Sequence, residues 1–279
     1  MRQICQAAVL AVSCTLPVSS ALGGQLPQEI VSRYRPAVER IEQAYTGLTV
    51  EGVTSVSLPQ EDKSRTQRFI MRADGKLRRL DLETVRQHRM GLPIGGKEMR
   101  MATTWGSLVT RTEPGHKFFD DAVQLPYDKT VAEIDQGSPL NSPYSITPRT
   151  PGLDMLLSPG VDIVSADKVE RRGEQLIEIV YRQNGEHVGR SGLWNGRLVL
   201  SPSEGWGLRA FILSLGRGSD QIIHRAAIGY SGTQDGVPLV SSIESETLEG
   251  NQVQRRHTIQ VEEIKIGKPD KYYFDSWTF

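Results

Sequence analysis

The sequence predicts an α+β protein that is mostly β: a curved antiparallel meander sheet forming an incomplete barrel, with an N-terminal helix and a proline-rich segment over its concave face. Three observations carry this expectation. One amphipathic helical stretch stands near the start, apolar and polar residues then alternate through most of the chain, and Asp-Gly or Asn-Gly pairs punctuate the alternating runs. Short antiparallel connections make neighbours in sequence neighbours in space. A large twisted sheet then tends to curl or close.

The first segment reads as an address rather than as structure. Arg2 precedes a mostly apolar, uncharged run from Ile4 to Val18, Pro17 interrupts it, and small residues follow at Ser19, Ser20 and Ala21. That order marks a secretory signal peptide, with cleavage expected after Ala21. The run is shorter than the roughly 20 apolar residues a membrane helix needs. A lipoprotein signal ending at Cys14 is the alternative, but the apolar run continues past that cysteine. The expected organisation is a leader over 1–21 and one half-barrel domain over 22–279. Both cysteines leave with the leader. No Asn-x-Ser/Thr sequon occurs, which fits a bacterial envelope protein, periplasmic or secreted. The chain holds 33 basic and 33 acidic residues, and losing Arg2 hardly changes that balance. Nucleic acid or an anionic membrane surface would call for a basic excess, so neither is an expected partner.

After the leader, Leu26, Ile30, Val31, Tyr34, Val38, Ile41 and Tyr45 recur at helical steps. Pro36 should bend or split this helix near Tyr34, and Gly47 should stop it. The period then becomes two. Val50, Gly52, Thr54 and Val56 mark one strand face, and Gln67, Phe69 and Met71 another, leading into a hairpin at Asp74-Gly75. The same turn signal recurs at Asn184-Gly185, Asn195-Gly196, Asp235-Gly236 and Gly250-Asn251, between β-forming runs such as 176–181, 208–215, 222–230 and 237–243. Residues 124–160 carry six prolines and read as an irregular crossover, with one helical turn over Gly152–Leu157. Ile259 and Val261 share a parity that Ile264 and Ile266 break, so a β-bulge is expected at Glu262-Glu263.

In its order of elements the chain resembles the LolA-like family of periplasmic lipoprotein carriers. The resemblance runs through the helix "LPQEIVSRYRPAVERIEQAY", the hairpin "RFIMRADGKLRRL" and the strands "LWNGRLVLSPSEGWGLRAFIL". It closes on "AAIGYSGTQDGVPLVSSIESETLEG", and the proline-rich middle makes this chain longer than a typical carrier. It implies an incomplete barrel with helices in its mouth and a non-enzymatic activity, the holding of lipoprotein acyl chains there.

Residues for catalysis do not assemble in the sequence. No two of the five histidines lie within four residues, so no local pair offers metal geometry. His224 and His257 share strand faces with apolar residues and read as half-buried side chains. Asp120-Asp121 and Glu262-Glu263 point to opposite strand faces and cannot act as a facing acid and base. Ser165 and Lys168 match S-x-x-K, but in strand-like surroundings where they would not converge. Neither an enzyme, a metal site nor a cofactor is therefore expected.

What remains is a set of large side chains able to line a ligand hollow: Phe69, Met71, Trp105, Trp194, Trp206, Phe211 and Tyr230. Ordinary core uses the same residues. Arg255 joins them by parity with Val253 and Val261. An arginine on an apolar face calls for a partner, and an internal carboxylate or a ligand headgroup would serve. The functional expectation is an exported carrier or sensor of an apolar ligand. The alternative is an envelope module binding another protein through a sheet edge or loops. A third reading, a small outer-membrane barrel, comes from the terminal "KYYFDSWTF".

Overall fold

The structure, a computed structural model, describes residues 24–104, 106–117, 119–136, 143–147, 150–187 and 190–275. The leader over 1–21, with Cys14, and Trp105 lie outside the described residues. Helix α1 spans Gln28–Tyr45. A first meander follows: β1 (Gly47–Leu58), β2 (Lys63–Asp74), β3 (Leu77–His88), β4 (Lys97–Thr103), β5 (Gly106–Thr112) and β6 (Asp121–Gln124). A linking segment holds α2 (Tyr127–Gln136), the short strands β7 (Ser145–Thr147) and β8 (Thr150–Pro151), and α3 (Gly152–Leu157). The second meander is β9 (Val161–Arg171), β10 (Glu174–His187), β11 (Arg190–Ser201), β12 (Gly207–Leu215), β13 (Ile222–Gln234), β14 (Val237–Glu249) and β15 (Gln252–Ile266). Helix α4 (Tyr272–Asp275) comes after it.

The two meanders join where β1 pairs antiparallel with β15, giving one 13-stranded sheet with β6 and β9 at its edges. The sheet is open, so the architecture is the incomplete barrel the element order implied. An open edge cannot face lipid, which removes the outer-membrane barrel reading. Asp74-Gly75, Asp235-Gly236 and Gly250-Asn251 all lie at hairpin turns. Asp235 and Gly236 both have positive φ, as a two-residue hairpin turn of the favoured kind requires. The bulge is also found: Glu51 pairs with Glu263 and Gly52 with Val261, leaving Glu262 as the extra residue.

Four expectations need correction. Helix α1 runs unbroken through Pro36, which is exposed, so water can solvate the Ser32 carbonyl that the missing N–H leaves behind. Gly47 does not cap that helix; Thr46 does, and Gly47 opens β1. Asn184-Gly185 and Asn195-Gly196 are not turns but lie inside β10 and β11, where Asn184 pairs with Leu193 and Tyr181 with Gly196. Gly196 serves close approach instead: a Cβ there would stand 2.0 Å from the Tyr181 ring. Finally, the proline-rich segment contains a helix, α2, that was not expected.

Helices α1, α2 and α3 all lie on one face of the sheet, here called the inner face. On β1 that face carries Leu48, Val50, Gly52, Thr54 and Val56, and in register with them on β2 stand Ala73, Met71, Phe69, Gln67 and Arg65. Helix α1 presses Tyr34, Val38, Ile41 and Tyr45 onto it, and the Tyr45 hydroxyl donates to the Pro238 carbonyl at 2.7 Å. Helix α2 is tied to the same face by Arg100–Glu133 at 3.2 Å and Arg78–Asp135 at 3.9 Å. The hollow beneath α1 is thus filled by the protein's own side chains, and its cover is larger than one helix and an irregular segment.

Candidate functional site

The inner face changes character along its length. Under α1 it is apolar and closed. Farther along β1 and β15 it turns polar, in two neighbouring rungs of the ladder. In the first rung Val56 pairs with Arg65 on β2 and with His257 on β15, and His257 pairs with Ser245 on β14. In the second, Arg255 pairs with Thr247, which pairs with His224 on β13. Alternation along each strand puts all these side chains on one side.

Two histidines here make hydrogen bonds that need no charge on the ring. Thr54 Oγ1 and His257 Nε2 lie 2.8 Å apart, and His224 Nδ1 and Thr247 Oγ1 3.2 Å apart. Burial, then Arg255 and Arg65, push the His257 pKa down to about 4. Burial, aided by Arg255, lowers that of His224 too, against a backbone hydrogen bond that raises it. Burial also loosens the proton of Arg65; Glu98 opposes that, and Arg100 and Arg255 add to it. The Arg65 Nε is buried with no hydrogen-bond partner among the described residues.

The carboxylates near these cations are already engaged. Glu98 accepts from Arg100 at 2.7 Å and Arg111 at 3.0 Å, which outweigh its burial and hold its pKa below the usual range. Glu249 pairs with Arg190 at 3.6 Å and Glu61 with Lys63 at 2.6 Å. The internal carboxylate that Arg255 was expected to find is therefore not supplied: Arg255 is exposed, with no ion pair among the described residues. Parity with Val253 misplaces it slightly, because Gln254 bulges between Leu248–Val253 and Thr247–Arg255.

The other predicted lining residues are brought together, but in the closed part. Phe69, Met71, Trp194 and Phe211 are buried in one core with α1, and Trp206 and Tyr230 pack against it. Trp206 sits at positive φ and stacks on Tyr34 with ring centroids 6.2 Å apart. The Tyr230 hydroxyl donates to the Leu208 carbonyl at 2.8 Å. Tyr34 Oη and Tyr181 Oη, both buried, have no hydrogen-bond partner among the described residues. Sequence reasoning passed over Arg65, although it shares the parity of Gln67, Phe69 and Met71.

The outer face holds a contrasting cluster. Arg72 and Arg79 both bond Asp81 at 2.9 Å, Arg79 Nη1 donates to the Tyr273 carbonyl at 2.8 Å, and Arg72 lies 4.0 Å from the centroid of the Tyr273 ring. Burial raises the Asp81 pKa, and the two arginines pull against it. A cleft of about 530 Å³ opens beside this cluster, with Arg68, Lys97 and Tyr272 among its walls. Among the described residues no group of His, Cys, Asp or Glu could hold a metal, and no helix is long and apolar enough to cross a membrane.

No protein-family model matches the chain, and no curated protein matches its sequence. Among solved structures it is similar to a DUF1329 family protein from Desulfovibrio piger, at 12% identity over 88% of this chain and 96% of that one, TM-score 0.44. A domain from Vibrio parahaemolyticus named for outer membrane lipoprotein sorting is similar at 10% identity over 85% and 95%, TM-score 0.44. The LolA superfamily protein NE2245 from Nitrosomonas europaea is similar at 9% identity over 87% and 97%, TM-score 0.44.

Proposed function

We propose that this chain is an exported, non-enzymatic carrier or sensor, released after residue 21, that holds the apolar part of a ligand between α1 and the inner face. The observation carrying this reading is the state of that contact. It is a continuous apolar seam, yet one hydroxyl on α1, Tyr34 Oη, and one on the sheet, Tyr181 Oη, are buried in it without a hydrogen-bond partner among the described residues. Each such group costs about 1–3 kcal/mol. A seam with that penalty parts more easily than one fully bonded, and a ligand bringing acceptors and acyl chain would relieve it. Lipoprotein acyl chains are the ligand the element-order resemblance implies.

The test is mass spectrometry of natively purified protein, followed by titration of stripped protein with a fluorescent fatty-acyl probe. Co-purifying acyl species or saturable uptake is expected; clean protein that takes up no probe would sink the reading. A protein-interaction module would then stand in its place. That second reading is favoured by β6, whose four residues are all exposed at an unpaired sheet edge.

A further inference from the structure

The polar end of the inner face adds something the carrier reading does not contain. Arg65 and Arg255 flank Val56 and His257 from β2 and β15, on adjacent rungs of one face. Neither has an ion pair among the described residues, and the nearby Glu98, Glu249 and Glu61 are each bound to other cations. Strands lie about 4.8 Å apart, so Arg65 and His257, two strands apart, stand about 10 Å from each other at the backbone. Long arginine side chains can close that gap onto one shared group. Placing two guanidinium groups over one patch without a counter-charge is unfavourable on its own, and folding gains nothing from it.

The floor beside the arginines is apolar: Val56 on β1 is buried, and Ile259, Ile243 and Ala226 on β15, β14 and β13 are buried and belong to the core under α1. A molecule lying there meets cations at one end and hydrocarbon at the other. Neutral donors and acceptors complete the rim: Thr54 and His257 bond each other, as do Thr247 and His224. Guanidinium groups favour planar or tetrahedral oxyanions, which take paired charge-assisted hydrogen bonds.

We infer that this end of the inner face binds the headgroup of an anionic acyl compound, a carboxylate or a phosphate, between Arg65 and Arg255. The inference rests on the proposed carrier function and names its ligand class. The acid group sits over Val56 and His257, and the chain runs along the apolar floor toward α1. Arg65 Nε, which has no acceptor among the described residues, is one of the donors.

The experiment titrates stripped full-length protein with palmitate, palmitoyl-lysophosphatidate, glycerol monopalmitate and inorganic phosphate, using calorimetry at low salt. Wild type should bind one or both anionic acyl compounds at least about tenfold more tightly than the neutral glyceride, as one good charge-assisted contact gives. The preferred anion tells carboxylate from phosphate. In Arg65→Gln/Arg255→Gln the preference should shrink to within about twofold while glyceride binding persists. Arg255→Gln alone, at an exposed position, gives an intermediate preference and guards against misfolding of the double variant. Equal binding of all three acyl compounds by wild type, or an undiminished preference in the variants, overturns the headgroup site and leaves the carrier reading standing. Inorganic phosphate binding as tightly as the acyl anions overturns the acyl ligand. No binding of any acyl compound overturns both.

Discussion

Arg65 and Arg72 stand seven residues apart on the same strand, and an odd spacing sends them to opposite faces of the sheet. Arg72 meets a carboxylate and an aromatic ring: Asp81 at 2.9 Å and the Tyr273 ring at 4.0 Å. Arg65 meets the field of Arg255 and a neutral histidine, and has no ion pair among the described residues. One face uses its arginine to hold the fold together, and the other leaves its arginine with unused donors. A cation satisfied within the protein is structural. One left unsatisfied against an apolar floor has capacity for something else.

Breaking the satisfied cluster should have the largest effect. Asp81→Ala removes the carboxylate shared by Arg72 and Arg79 and leaves two largely buried cations without it, costing about 3–5 kcal/mol. Urea unfolding measures this, and a loss below about 1 kcal/mol would show the cluster to be ornamental. Next in size is acid sensitivity from the other face. The folded-state pKa of His257 lies near 4, below its ordinary 6.5. The unfolded chain therefore binds the proton first as pH falls. Stability is complete above pH 6.5 and declines toward pH 4, by up to about 3 kcal/mol. In His257→Gln the urea midpoint should depend less on pH across that window; an unchanged dependence would remove His257 as its source. Tyr273→Ala, which strips the ring from Arg72 but keeps the backbone acceptor for Arg79, should cost about 1–2 kcal/mol. Smallest of all, Arg255→Gln should change stability by less than about 0.5 kcal/mol, and toward a more stable protein, since it relieves repulsion of Arg65. A loss above 1 kcal/mol there would mean Arg255 has a structural partner after all.

Much of this arrangement was legible in the residues. Turn chemistry located the hairpins at Asp74-Gly75, Asp235-Gly236 and Gly250-Asn251, because positive φ there is affordable only to a few residue types. The break in parity after Val261 located the bulge. The same Asn-Gly signal misled at Gly196, where the missing side chain makes room for the Tyr181 ring on the neighbouring strand. Nothing local distinguishes a glycine kept for its backbone from one kept for its neighbour. Helix α2 did carry a signal, Pro126 ahead of Tyr127, Val131 and Ile134 at helical steps, but the surrounding prolines hid it. At the site, Arg255 was found by parity and Arg65 could have been. Their pairing across β1 could not, since it depends on strands from the two ends of the chain lying side by side.

That seam has a consequence for how the molecule comes into being. Thr54 and His257 touch across 203 residues of sequence. A chain threaded outward from its N-terminus completes β2 to β6 while β1 still offers a bare flank, and only the last long strand to emerge covers it. Contacts of such high order form slowly, and an uncovered strand invites self-association in the interval. Half of the cationic patch arrives with that final strand. On the proposed headgroup site, a nascent chain therefore offers Arg65 alone, and the two-arginine grip exists only once β15 has docked.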